Sequence, residues 1–355
     1  MHGRDAPDRC PGAVQVHPAA DGGLARVRLP GGLLTAAQLR VLRSAAIDLG
    51  DPVLELTSRG NIQVRALRPG APAVLARRLH EAGLLPSEAH ERVRNIIASP
   101  LSLAVRPVVA AFDALLCSSS TLVDLPGRFL VTVDDGRGDV TGLGADVGLL
   151  GDRLLLGGCP TSLRGGAELL IRACQAFLDE RAAQGSQAWR LVELADGPAR
   201  VAARLGTDVG RSPELPPRPT PVGPLPEGAV VVVPLGLLTP EQSAVLADVA
   251  EEIIVTPWRT LAVHRLPMAE AERLAAAGLS SDPASPWIGV TACAGRPGCA
   301  KALADVRADA AAAARTRSVG DEPVHWVGCE RRCGAPKGRH VEMIATGSGY
   351  QRVVP

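Results

Sequence analysis

An internal duplication limits the folds open to this 355-residue chain. The segment V-R-L-P-G-G-L-L-T-A-A-Q-L-R-V-L from Val27 compares with V-V-P-L-G-L-L-T-P-E-Q-S-A-V-L from Val232. Further on, L-E-L-T-S-R-G-N-I-Q-V-R-A-L (54–67) compares with I-I-V-T-P-W-R-T-L-A-V-H-R-L from Ile253. Each copy reads as a strand, a helix and two strands with a tight connection. Thr35 and Thr239 stand where a hydroxyl would cap the helix start.

A second pair of segments follows each copy. V-R-N-I-I-A-S-P (93–100) predicts a strand and turn, then a helix over about 104–116, then a strand in L-P-G-R-F-L-V-T-V-D-D (125–135). Residues 141–205 add a strand pair (148–158) and two helices, about 168–181 and 189–205. In the other half, W-I-G-V-T-A-C-A-G (287–295) leads to a helix over about 300–314, with strands at 324–333 and 340–350. Between the halves, Ser212 to Pro226 holds seven prolines in fifteen residues. It can be neither helix nor central strand, and reads as a semi-rigid linker. Short alternating strands and helices with antiparallel hairpins predict an α+β fold.

Hydrophobic residues make up 46% of the chain and aromatics 2%, so the core is aliphatic and a planar cofactor finds few rings to stack on. The formal net charge is +1, from 38 basic and 37 acidic side chains, which gives no global pull toward nucleic acid or a membrane surface. Residues 1–20 lack an apolar core of the secretory kind, and no apolar run reaches about 18 residues. These features predict a cytoplasmic protein in which Cys10, Cys117, Cys159 and Cys174 are free thiols.

The other four cysteines carry the chemistry. Cys293 and Cys299 (C-A-G-R-P-G-C) and Cys329 and Cys333 (C-E-R-R-C) form two close pairs, C-x5-C and C-x3-C. Brought together, four thiolates suit an iron–sulfur cluster or a structural zinc. The first spacing is longer than the two to four residues usual between paired zinc ligands. Gly295, Pro297, Gly298, Gly328 and Gly334 permit tight wrapping around them.

Thr57, Arg59, Asn61, Gln63 and Arg65 alternate through T-S-R-G-N-I-Q-V-R. On a continuous strand they would share one face, a wall suited to an anionic ligand. A basic set, Arg92, Arg94, Arg128, Arg137, Arg331, Arg332, Lys337 and Arg339, offers forks for carboxylates. None of the seven histidines shows a ligand spacing, although His325 and His340 bracket the second cysteine pair. No G-x-G-x-x-G fingerprint, P-loop, Ser-His-Asp set or paired-carboxylate site is present.

T-S-R-G-N-I-Q, V-R-N-I-I-A-S-P, L-P-G-R-F and the four-cysteine set, in this order, resemble the sulfite/nitrite reductase family over about residues 20–350. The resemblance implies a pseudo-twofold duplicated fold: a ferredoxin-like half-domain at 20–80, an α/β domain at 88–210, a second half-domain at 228–282 and a second α/β domain at 285–355. The N-terminal segment 1–19 and the Pro-rich linker 211–227 complete the division. It further implies a [4Fe–4S] cluster on Cys293, Cys299, Cys329 and Cys333. Thr57, Arg59, Asn61, Gln63, Arg65, Arg94, Arg128, Arg331 and Arg332 become the tetrapyrrole-binding set. D-R-C-P-G, L-P-G-R-F-L-V-T-V-D-D-G-R-G-D-V and G-C-E-R-R-C-G are most similar to the aerobic cobalamin-pathway branch, where the tetrapyrrole is substrate rather than sirohaem cofactor. Reductases of the family carry a second basic residue two positions after the arginine of L-P-x-x-F, and here Leu130 stands there. That branch implies O2-dependent monooxygenation of precorrin-3A, a mononuclear non-haem iron of unassigned ligands, and an external electron donor such as an NADH-linked reductase or ferredoxin. A sirohaem nitrite or sulfite reductase is the alternative, and a zinc-stapled tetrapyrrole-binding scaffold is a third.

Overall fold

A computed structural model describes residues 10–213, 221–318, 320–336 and 338–355. Residues 1–9, positions 214–220 of the Pro-rich stretch, Val319 and Lys337 lie outside the described residues. The chain divides into two compact units, one holding Arg28–Gly32 and the described part of Leu85–Arg218, the other Ala13–Val27, Leu33–Leu84 and the described part of Pro219–Pro355.

Two antiparallel sheets in the second unit reproduce the sequence duplication. The first runs in the order His17–Ala19, Gly22–Val27, Ile62–Leu67, Leu54–Leu56, Leu237–Leu238. The second runs Gly223–Leu225, Gly228–Val232, Thr260–His264, Glu252–Val255, Leu33–Thr35. Each sheet ends on a strand from the other copy. Leu237 pairs with Glu55, while Leu34 pairs with Ile253. The exchange covers one edge of each sheet and ties the copies into a single body.

The caps hold as the sequence predicts. Thr35 Oγ1 accepts from Gln38 N at 3.2 Å while the Gln38 side chain accepts from Thr35 N, starting the helix Ala36–Leu49. Thr239 and Gln242 repeat this at the start of Pro240–Val249. Both pairs are capping boxes that satisfy two otherwise orphaned N–H groups. Leu39, Leu42, Ala45 and Ala46 form the buried stripe of the first helix. Full burial of each leucine contributes roughly 1.5–3 kcal/mol.

The same unit carries a four-stranded sheet. Val290–Ala292, Val324–Val327 and Val341–Thr346 are parallel, and Gly349–Val353 returns antiparallel. Val306, Ala310 and Ala314 of the helix Val306–Ala314 pack on Val290, Val324, Trp326 and Val341. This helix begins six residues later than the sequence pattern predicts. Asp305 is its N-cap, accepting from Ala308 N at 3.2 Å, and residues before it are spent on the cysteine loop.

In the first unit, Ile96–Ala98, Val131–Asp134 and Val147–Leu150 are parallel, followed by antiparallel Arg153–Leu156 and Cys159–Arg164. Helices Arg106–Ser118 and Ala167–Ala183 bury Phe112, Leu116, Leu170 and Phe177 in one core with Phe129. The helix expected over 189–205 is shorter, Gly197–Arg204, because Asp196 at φ 48° breaks the helical path just before it. Among the described residues, no helix is long and apolar enough to cross a membrane.

Candidate metal centre

Parallel pairing sets the place of the cysteines. Ala292 lies opposite Trp326, so the chain leaves two neighbouring strands at the same end, with Cys293 directly after one and Cys329 two residues after the other. Backbone bonds lock the two loops together there. Cys293 N donates to Trp326 O at 2.9 Å, and Leu303 N donates to Gly328 O at 2.8 Å. Gly328 N donates to Cys293 Sγ at 3.2 Å. A Cβ on Gly328 would come within 2.6 Å of the Ala302 Cβ, so only glycine lets the loops approach this closely.

Cys333 feels the other three cysteines of the set. Burial pushes the Cys333 thiol up from its ordinary value, and the charges of Cys293, Cys329 and Cys299 push the same way against Arg331. Thiolates gathered in this way would call for a cation. The donor set, four cysteines with an N–H directed at one sulfur, is one that iron–sulfur clusters use.

Side chains hold the carbonyl groups of both loops. Arg307 Nε donates to Cys293 O at 3.3 Å and Arg65 Nη2 to Gly298 O at 2.9 Å. In the second loop, Arg259 Nη2 donates to Gly334 O at 3.1 Å. His325 Nε2 donates to Cys333 O at 3.1 Å, which leaves Nδ1 to accept from the Thr291 hydroxyl at 2.8 Å. A carbonyl can only accept, so His325 is the neutral Nε2–H tautomer. Burial, with smaller contributions from nearby Arg259 and His340, pulls its pKa down to about 4. His340 instead faces Glu342, 3.5 Å away, and Arg332 Nη1 meets the other oxygen of Glu342 at 3.0 Å.

The polar wall proposed on one strand is corrected. Thr57 to Asn61 form a turn, and the strand begins only at Ile62. Thr57 N donates to Asn61 O at 2.9 Å, and Thr57 Oγ1 accepts from Asn61 N at 3.0 Å. The turn needs φ of 65° at Gly60, which ends strand alternation. Asn61 is buried, while Thr57 and Arg59 are half-buried on the turn. Gln63 and Arg65 do share a strand face, but both are engaged. Gln63 accepts from Arg26 and donates to Glu55 at 3.1 Å. Arg65 makes a two-bond fork to Asp21 at 3.0 and 3.1 Å.

Arg331 is exposed and Arg332 half-buried in the second cysteine loop. Arg94 and Arg128 belong to the other compact unit. The Arg94 fork is closed on Asp113 at 2.7 and 2.8 Å, and Arg94 is buried. Arg128 is exposed, its guanidinium 5.2 Å from the centre of the Trp189 ring. That unit also groups Asp134, Asp135 and Asp139 within 4.8 Å. Asp134 already accepts from four backbone N–H groups and the Thr141 hydroxyl. Sequence reasoning missed Glu55, Arg259 and Arg307. Arg259 alone left a trace, since it occupies the place of Gly60 in the duplicated turn and keeps its positive φ, 58°.

Residues 17–82 match the nitrite/sulfite reductase ferredoxin-like half domain. The chain is 28% identical to a precorrin-3B synthase from Sinorhizobium, across 97% of this chain and 82% of that protein. It is 27% identical to a ferredoxin–nitrite reductase from Synechococcus elongatus, across 88% of this chain and 74% of that protein. The solved structure of the Mycobacterium tuberculosis NirA protein superposes with a TM-score of 0.69 at 20% identity, covering 94% of this chain and 73% of that one. The chain is therefore a homologue of ferredoxin–nitrite reductase and precorrin-3B synthase, with a nitrite/sulfite reductase ferredoxin-like half domain and the sulfite/nitrite reductase-like fold.

Proposed function

We propose that this chain is a precorrin-3B synthase that holds a [4Fe–4S] cluster on Cys293, Cys299, Cys329 and Cys333. The reaction is monooxygenation of precorrin-3A in cobalamin biosynthesis. One atom of O2 hydroxylates C20, a ring-A acetate closes a γ-lactone, and the second atom leaves as water with two electrons and two protons from an external donor. The cluster, when bound, supplies electron transfer. The chain's own residues bind and orient. Arg59 and Arg331 are assigned to rim carboxylates of the macrocycle, each contact contributing about 1.5–3 kcal/mol. Orientation is what confines attack to one ring carbon.

Leu130 carries the choice within the family. It stands two positions after Arg128, where the reductases of the resemblance carry a second cation, and it is 2% exposed. Burial of an apolar residue there removes a charge that a small anion would need during multi-electron reduction. Arg94, closed on Asp113, supports the same reading.

The deciding experiment is anaerobic purification, iron and sulfide analysis, and a mass spectrum after incubation with precorrin-3A, reductant and O2. A gain of one oxygen atom is expected. The likeness to ferredoxin–nitrite reductase favours a second reading, a sirohaem nitrite or sulfite reductase. A sirohaem spectrum, nitrite reduction and no mass gain would establish that instead.

A further inference from the structure

Glu55 is an acidic residue in the middle of a buried strand, only 8% exposed, and no motif of the sequence points to it. Its neighbours explain how a carboxylate is accommodated there. Oε1 accepts from Arg307 Nη2 at 2.6 Å and lies 3.5 Å from Arg65 Nε, while Oε2 accepts from Gln63 at 3.1 Å. The two arginines then reach onward to the first cysteine loop. Arg307 donates to the carbonyl of Cys293, where the loop begins, and Arg65 to the carbonyl of Gly298, one residue before Cys299. One carboxylate thus joins two guanidinium groups that grip the C-x5-C loop beside each of its cysteines.

The fit is close. A Cβ on Gly298 would lie 3.1 Å from Arg65 Nη2 and 3.2 Å from Asp21 Oδ2, so the loop rests directly on the Arg65–Asp21 pair. Guanidinium groups bound to a carbonyl on one side and a carboxylate on the other are held by charge-assisted bonds, which resist reorientation more than neutral ones do. Without Glu55, Arg307 loses this carboxylate contact, and Arg65 keeps its pair with Asp21.

We infer that Glu55 is a positioning residue that sets the shape of the Cys293–Cys299 loop through Arg307 and Arg65 before any metal arrives. Its consequence for metal retention rests on the cluster reading proposed above; its effect on the loop does not. Hydrogen exchange on the full chain, metal-free and reconstituted, separates the two. Glu55→Gln keeps size and shape while removing the charge. The Arg296, Ala302 and Leu303 amides, bonded to Ala304 O, Cys299 O and Gly328 O, then exchange about tenfold faster. Amides of Val324–Val327 stay as they were. In reconstituted protein, iron and sulfide per chain fall severalfold, and the reduction potential of what remains shifts.

Should Glu55→Gln fail to fold, Arg307→Gln decides. That side chain is 25% exposed, and its loss removes one grip only. Faster exchange confined to the loop in either variant supports the inference. Unchanged loop amides in both variants overturn it. A wild-type chain that takes up no iron would instead remove the cluster reading, while the metal-free exchange data still judge Glu55.

Discussion

The two α/β regions share a plan and differ in the atom at one position. In one, Ile96–Ala98 and Val131–Asp134 run parallel; in the other, Val290–Ala292 and Val324–Val327 do. Just past the first strand stand Ser99 and Cys293. Ser99 N donates to Val133 O at 3.0 Å, and Cys293 N to Trp326 O at 2.9 Å. Ser99 Oγ accepts from Asp135 N at 3.1 Å, and Cys293 Sγ from Gly328 N at 3.2 Å. The backbone has been kept and oxygen stands for sulfur. Beyond that point the regions part. Ser99 donates onward to Asp139 at 2.5 Å within a self-satisfied carboxylate loop. Cys293, with Cys299 and Cys329, acts instead on the Cys333 thiol. The C-terminal edge of parallel strands is a place where ligands gather. Duplication supplied that edge twice, and the side chains closed one copy on itself.

The strongest break of this comparison is Cys293→Ser. A serine oxygen can take the Gly328 N–H as Ser99 takes that of Asp135, so the circular dichroism spectrum should be unchanged. Iron and sulfide should be lost almost entirely. The reciprocal Ser99→Cys should gain no iron, because the other three thiols are missing from that loop; retention in the first variant or uptake in the second would dissolve the contrast. Next in size is Asp134→Ala. It strands four backbone donors and a hydroxyl on a residue 1% exposed, and should destabilise by at least about 3 kcal/mol in urea unfolding. A loss under 1 kcal/mol would mean that the carboxylate loop is not what closes this copy. Smallest is Ser99→Ala, expected to cost about 1–2 kcal/mol as the Asp139 and Asp135 bonds go. An equal cost in iron-loaded and metal-free protein would show that this loop is independent of the metal.

Much of the site was legible because its signals are local. Cysteine spacing, the flanking glycines and the Thr35 and Thr239 caps each depend on a few neighbouring residues. The polar strand over 57–65 was misread because alternation alone cannot register a turn, and Gly60 at φ 65° breaks it. Arg65 and Gln63 looked available for a ligand, since nothing nearby in the chain showed that Asp21, Glu55 and Arg26 already engage them. Arg307 and Glu55 meet across 252 positions, and no window of sequence contains both.

By itself the sequence determined the duplication, the helix starts and which sulfurs come in pairs, since these follow from short-range patterns of hydrogen-bonding groups and apolar residues. Tertiary structure alone decided that each half lends a strand to the other, that parallel register sets both cysteine pairs at one sheet edge, and which arginines are already matched by carboxylates. Those outcomes depend on charges and backbone groups that become neighbours only after folding, when burial makes an unmatched one costly.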